Sequence, residues 1–457
     1  MKRLLLVPFI LLASSCSFDN KTGIWNDASD LPINRQTSNT ISNSQAGTQY
    51  EDIFIKNQIF NEEKIPDENF QIKIDEPIKI FNWAEQYGIS TNNISNFSYS
   101  DNKLLLSKSI KLSKNSSSKN NLKKKIIFYK DNLISYDHKG RIFVYSMSLN
   151  KKILFFDFYK KKLKKFNKEL SFIVNKNILY ISDNLGYLYA LNLDNKSIVW
   201  AKNYGIPFRS NLKITDGQLF LANQDNVIYS INPATGDKIW EFATAITSLK
   251  SSFENNFALD QLNNILFFLN TSGELYSINF KSQKVNWVLN FKNFSLNKDT
   301  QVFLSQPIVV KNNNFIITTE KNILSYDKLT ALRNWSFPAE STLKPIVTSN
   351  YTFVVLKNNL LVCLDNSSGN VVWSKNIFSN ALENKIVNKF ATVVDFKLVN
   401  NEINIYSTNG YLLSFKATNG NLNYSGRLNK KGILSEIFFL NDYMLFVDNR
   451  NRLLKFN

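Results

Sequence analysis

Along most of this chain apolar and polar residues alternate with a period of two, in runs of five or six. That period puts alternate side chains on opposite faces of a strand, whereas a helix needs apolar residues at i, i+3, i+4 and i+7. The runs come in pairs around turns rich in Asn, Asp, Gly and Lys, as tight reversals require. Eight such hairpins are visible: NLISYDHKGRIFVYS, NILYISDNLGYLYAL, QLFLANQDNVIYSI, ILFFLNTSGELYSI, NFIITTEKNILSY, TFVVLKNNLLVCL, INIYSTNGYLLSF and YMLFVDNRNRLLKF. Seven lead into one recurring stretch, clearest as VIYSINPATGDKIW. There a strand (Val227 to Ile231) enters a turn carrying Thr235 and Gly236, and a further strand opens on Ile239 and Trp240. The closing aromatics are Phe155, Trp200, Trp240, Trp287, Trp335, Trp373 and Tyr424, each 11 residues after an apolar strand position.

Those aromatics lie 38 to 51 residues apart. A repeat of roughly 40 to 50 residues built of short strands predicts β-propeller blades. One blade leaves both faces of its sheet uncovered, and packing against its neighbours buries them. The expectation is an all-β, eight-bladed propeller. The eighth hairpin runs to Asn457 and lacks an outer strand. An N-terminal strand is therefore expected to complete the last blade, with Phe81-Asn82-Trp83 as the candidate and Trp83 as its aromatic. Closure removes an open edge.

The remaining chain divides by composition. Residues 1–15, with Lys2 and Arg3 before an apolar run, read as a signal peptide too short to span a bilayer. Residues 16–79 are polar and read as a flexible tether. Residues 80–457 are the propeller. Its first blade is expected to be interrupted by a long exposed loop from Ser107 to Lys125. Charge is uneven: residues 103–168 hold eighteen lysines and Arg141 against Asp131, Asp137 and Asp157, which accounts for almost all of the chain's +18. An anionic lipid surface, an acidic protein, or merely a solvated edge all fit this window. An exported chain is not expected to meet nucleic acid.

Catalytic material is sparse. The single histidine, His138, lies in the turn Asp137-His138-Lys139-Gly140 and reads as an exposed turn residue, so His-based metal sites and Ser-His-Asp chemistry lack material. Cys363, between Val362 and Leu364, reads as a small buried hydrophobe. No Gly-rich phosphate loop appears. Neither a cofactor nor a metal is expected, and the chain is not read as an enzyme.

The turn-and-Trp repeat, as in NPATGDKIW and NSSGNVVW, resembles that of the pyrroloquinoline-quinone (PQQ) propellers. One branch holds PQQ and calcium on the axis of quinoprotein dehydrogenases. The other, the BamB family, comprises lipoproteins of the outer-membrane β-barrel assembly machine. Adjacent cysteines typical of the quinoprotein alcohol dehydrogenases are absent here. Ala13-Ser14-Ser15-Cys16 resembles a lipobox, which implies lipidation of Cys16, and Ser17 after it implies the periplasmic face of the outer membrane; an ordinary secretory signal is the alternative. The BamB resemblance implies docking onto periplasmic domains of the barrel-forming subunit and assistance to unfolded outer-membrane proteins. It implies partner-binding roles for Ile206, Phe208 and Arg209 in one loop, and for Glu254 and Asn256 in the next blade's loop, where Asn256 replaces an expected acid. A PQQ-dependent dehydrogenase and a generic envelope-binding propeller remain the alternatives.

Overall fold

The computed structural model describes residues 59–67, 72–100, 105–112, 125–160, 163–215, 217–247, 253–292, 303–379, 387–441 and 443–457, and the paired strands Ser17–Phe18 and Trp25–Asn26. The expected signal peptide, Cys16 and most of the expected tether lie outside the described residues. The chain forms two compact units, Met1–Lys56 and Asn57–Asn457. The second therefore begins well before residue 80, and residues 59–67 and 72–79 belong to it rather than to a tether.

Eight four-stranded antiparallel sheets make up the second unit. Blades 1 to 7 span 127–156, 170–203, 213–243, 256–290, 309–337, 346–376 and 393–427, each running from its innermost strand outward. Blade 8 has Phe438–Leu440, Tyr443–Val447 and Arg452–Phe456, and its outer strand is Leu106–Lys111. Closure by an N-terminal strand is thus as expected, but the strand is not Phe81-Asn82-Trp83. Nor is blade 1 interrupted: Ser107 to Lys111, expected in a loop, lies in the closing strand.

The recurring aromatic has a defined place. In blades 2 to 7 it pairs across the outer two strands with a small residue, as in Ala190 and Trp200, Ser230 and Trp240, or Cys363 and Trp373. A bulge follows immediately in each, which bends the strand and turns the indole toward the next blade. Trp200 Nε1 donates to Pro233 O (2.9 Å), Trp335 Nε1 to Asn366 O (2.8 Å) and Trp373 Nε1 to Ala417 O (3.0 Å), all in the following blade's outer turn. Each ring covers that turn's glycine, Gly236, Gly369 or Gly420, whose φ is positive. Where the turn has Gln283 instead, Trp240 is only half-buried and donates to Gln218 of its own blade. Blade 1 departs from the expectation by one residue. Val144 pairs with Leu154 before its bulge, so buried Leu154 occupies the aromatic's place and Phe155 faces outward, 51% exposed. Tyr424 is in register but exposed.

In a four-stranded meander the first and third turns leave one end of the sheet; the second turn and the connection to the next blade leave the other. These are called here the turn end and the connector end. Residues 80–99 run around the axis at the turn end, meeting the inner strand of blade after blade. Ile80 O accepts from Asn441 N beside blade 8, and Trp83 N donates to Phe128 O of blade 1. Ala84 O accepts from Val174 N, Ser90 O from Leu259 N, and Thr91 O from Val310 N. Asn93 exchanges two bonds with Val347, and Phe97 N donates to Leu398 O. Trp83 is thus buried at the axis, stacked on Phe97 and edge-on to Phe438.

Candidate functional site

The opposite, connector end of the axis is polar. Most inner strands begin there with a charged or amide side chain, so the ring symmetry gathers residues far apart in sequence. Lys125, just before blade 1, bridges to Glu254, just before blade 4, at 3.0 Å. Deeper along the axis, toward the turn end, Lys213 of blade 3 is wholly buried and pairs at 2.6 Å with Glu85 of the axial segment. Lys397 of blade 7 pairs with Asp395 at 2.8 Å and reaches Glu436 of blade 8 at 3.8 Å. Lys344, preceding blade 6, is half-buried beside them. A cavity of about 300 Å³ opens here, lined among others by Tyr87, Asn211, Glu254, Asn256 and Gln306.

Desolvation governs the titration of this cluster. It pushes the Lys344 ammonium down to about 7, with repulsion from Lys397 adding and Glu436 and Asp395 opposing. It also raises the Glu436 carboxyl, against the pull of Lys397. Lys213 is lowered by desolvation despite Glu85. For Lys397 desolvation is outweighed by Asp395 and Glu436 together, and its pKa rises. Buried charges that find partners in this way hold the axis together only while both members are present.

The structure brings the two expected loops together at the same end. Asn255 N donates to Arg209 O (3.0 Å), and Ser210 and Asn255 form a parallel bridge. Within the loops the expected roles change. Phe208 is buried, 4% exposed, between Tyr204 and Tyr229, so it packs the blade top instead of facing a partner. Asn256 is buried; its Oδ1 accepts from Ile308 N at 3.1 Å. Glu254 is engaged by Lys125. Ile206 and Arg209 are half-buried. His138 is also half-buried rather than exposed, while Cys363 is fully buried as expected. The axial lysines escaped the sequence reading because they are scattered singly. The signal that finds them is positional: a lysine or acid at or just before the start of the inner strand, in most of the blades.

A family model described as outer membrane protein assembly factor BamB matches residues 146–375. A BamB of Legionella pneumophila is 29% identical over 79 residues, 17% of this chain and 19% of its own. An uncharacterised protein of Rickettsia conorii is 23% identical over 219 residues; the match spans 46% of this chain and only 52% of that relative's length. The crystal structure of BamB from Moraxella catarrhalis superposes with a TM-score of 0.58 at 11% identity, covering 78% of this chain and 99% of that one. A quinohemoprotein alcohol dehydrogenase from Pseudomonas putida superposes with a TM-score of 0.59 at 9% identity, covering 82% and 80%. The two structural likenesses establish the eight-bladed PQQ-like propeller fold.

The dehydrogenase likeness raises the question of a quinone with its cation on the axis. A hard cation needs several oxygen donors converging on one point. Among the described residues no group of three or more His, Cys, Asp or Glu side chains is placed to hold a metal ion. Glu254, Glu85 and Asp395 are each engaged by a lysine, and Glu436 shares Lys397 with Asp395. The described residues at the axis do not fit that pair.

Proposed function

Since the chain belongs to the PQQ-repeat family of the outer membrane protein assembly factor BamB, we propose that it is a non-enzymatic scaffold lipoprotein of outer-membrane β-barrel assembly. In this reading it is anchored through Cys16 on the periplasmic face of the outer membrane. It binds the periplasmic domains of the barrel-forming subunit and assists insertion of outer-membrane proteins. The observation that carries the reading is the family match over the propeller itself, residues 146–375. The geometry supports it at the connector end, where the loops around Arg209 and Glu254 lie side by side. Such a site works through surface complementarity around a few anchors, and needs no reactive group.

The test is affinity purification from the native envelope in mild detergent, comparing wild type with Arg209→Glu. The expected result is recovery of the barrel-forming subunit with wild type and its loss from a variant that melts at the wild-type temperature. Recovery with both discards Arg209 from the interface. Recovery with neither overturns the scaffold reading.

A further inference from the structure

The lysine-rich window contributes blade 1 and the closing strand of blade 8, which are neighbours in the ring. Its turn end carries large apolar side chains that nothing in the blade covers. Phe81 is 64% exposed, Leu105 60%, Leu106 53% and Leu149 61%. These side chains stand on one rim, as the hydrogen bonds show. Phe81 lies between Ile80, bonded to the first turn of blade 8, and Asn82, whose Oδ1 accepts from Lys130 N (2.7 Å) in the first turn of blade 1. Asp131 in that turn ties it to the third turn, which carries Leu149, by accepting from Ser148 N at 2.5 Å. Leu105 O accepts from Asn457 N, where the third strand of blade 8 ends. The first and third turns of adjacent blades, and the start of the closing strand, therefore share one end of the propeller.

Cations surround these apolar groups. Lys130 is exposed in the first turn and Lys151 at the end of the third, with Lys108 on the closing strand. The first turn also carries one acid, the exposed Asp131, which accepts from Ser148 N and is outnumbered by these lysines. Exposed phenylalanine and leucine side chains set among lysines on one rim suit a phospholipid interface. The apolar groups enter the acyl boundary while the ammonium groups meet headgroup phosphates. An acidic protein would gain from the lysines alone and leaves the leucines unexplained.

We propose that the turn end of blades 8 and 1 is a membrane-docking rim for anionic phospholipid. It lies at the end of the propeller opposite the connector-end loops, so it leaves those loops free. The inference does not depend on the scaffold reading.

The test uses the chain from Ser17 onward, which retains the whole propeller and carries no leader. Sedimentation with phosphatidylglycerol–phosphatidylcholine vesicles is compared with phosphatidylcholine alone. Each lysine near an anionic surface is worth about fivefold in binding. Lys130→Glu with Lys151→Glu is therefore expected to weaken binding by more than tenfold. Phe81→Ser with Leu149→Ser is expected to weaken it comparably, with the melting temperature of both variants unchanged. Equal binding to both vesicle types overturns the proposal. So does wild-type binding by the Phe81→Ser, Leu149→Ser variant, or binding to polyglutamate with none to vesicles.

Discussion

Gly369→Ala tests the reason the blades are spaced as they are. Gly369 lies in the outer turn of blade 6 with φ +75°, and a Cβ there would meet Trp335 Cγ at 2.6 Å. Two costs combine. A non-glycine residue in the left-handed region loses about 1–2 kcal/mol. Pushing a packed indole aside costs about 1–3 kcal/mol more. Trp335 cannot yield without stretching its 2.8 Å bond to Asn366 O, so the sum is expected at roughly 2–5 kcal/mol. Gly205→Ala supplies the control: its φ is +80°, yet nothing lies within 4 Å of the added carbon. That variant is expected to lose only the backbone part. The assay is urea denaturation followed by circular dichroism, with Trp335→Leu introduced into both backgrounds as a double-mutant cycle. Removing the indole is expected to abolish the extra cost of alanine at 369. Equal losses at 205 and 369, or additivity with Trp335→Leu, refute the claim that the ring specifies glycine.

Two further perturbations address closure and the axis. Ile110→Ala removes the one buried side chain of the closing strand and is expected to cost about 2–4 kcal/mol; the faster cleavage of residues 105–112 by a nonspecific protease, read by mass spectrometry, checks it. Lys344 has a folded pKa of about 7, below its unfolded value, so the unfolded chain binds the extra proton between about pH 7 and 10. Its contribution to stability therefore rises with pH across that interval. Denaturation midpoints are expected to climb above neutral pH in wild type and to lose that climb in Lys344→Met.

Much of the fold was legible because blades repeat. The 11-residue step found six of seven aromatic positions in register and failed by one at blade 1, where no tryptophan marked the bulge and Leu154 fills the place. Closure was legible in principle but assigned to the wrong stretch. An outer strand packs on only one side, so Leu106–Lys111, with a single buried residue, carries almost no hydrophobic signal. Trp83 drew the assignment because it is aromatic; its burial is at the axis instead. Phe208 was misread for the same reason in reverse. Its neighbours in space, Tyr204 and Tyr229, come from a loop and from another strand, and sequence does not display that contact. The paired axial charges, such as Lys125 with Glu254, join blades three places apart in the ring, and no local pattern encodes such a pairing.

The claim that this propeller serves outer-membrane assembly is tested most directly by the rate at which a pulse-labelled porin reaches its heat-resistant folded form, in cells depleted of the protein and in cells restored with it. The account predicts slowed folding on depletion, restored by wild type and not by Arg209→Glu at equal abundance. Porin folding that proceeds at the normal rate without the protein would contradict it.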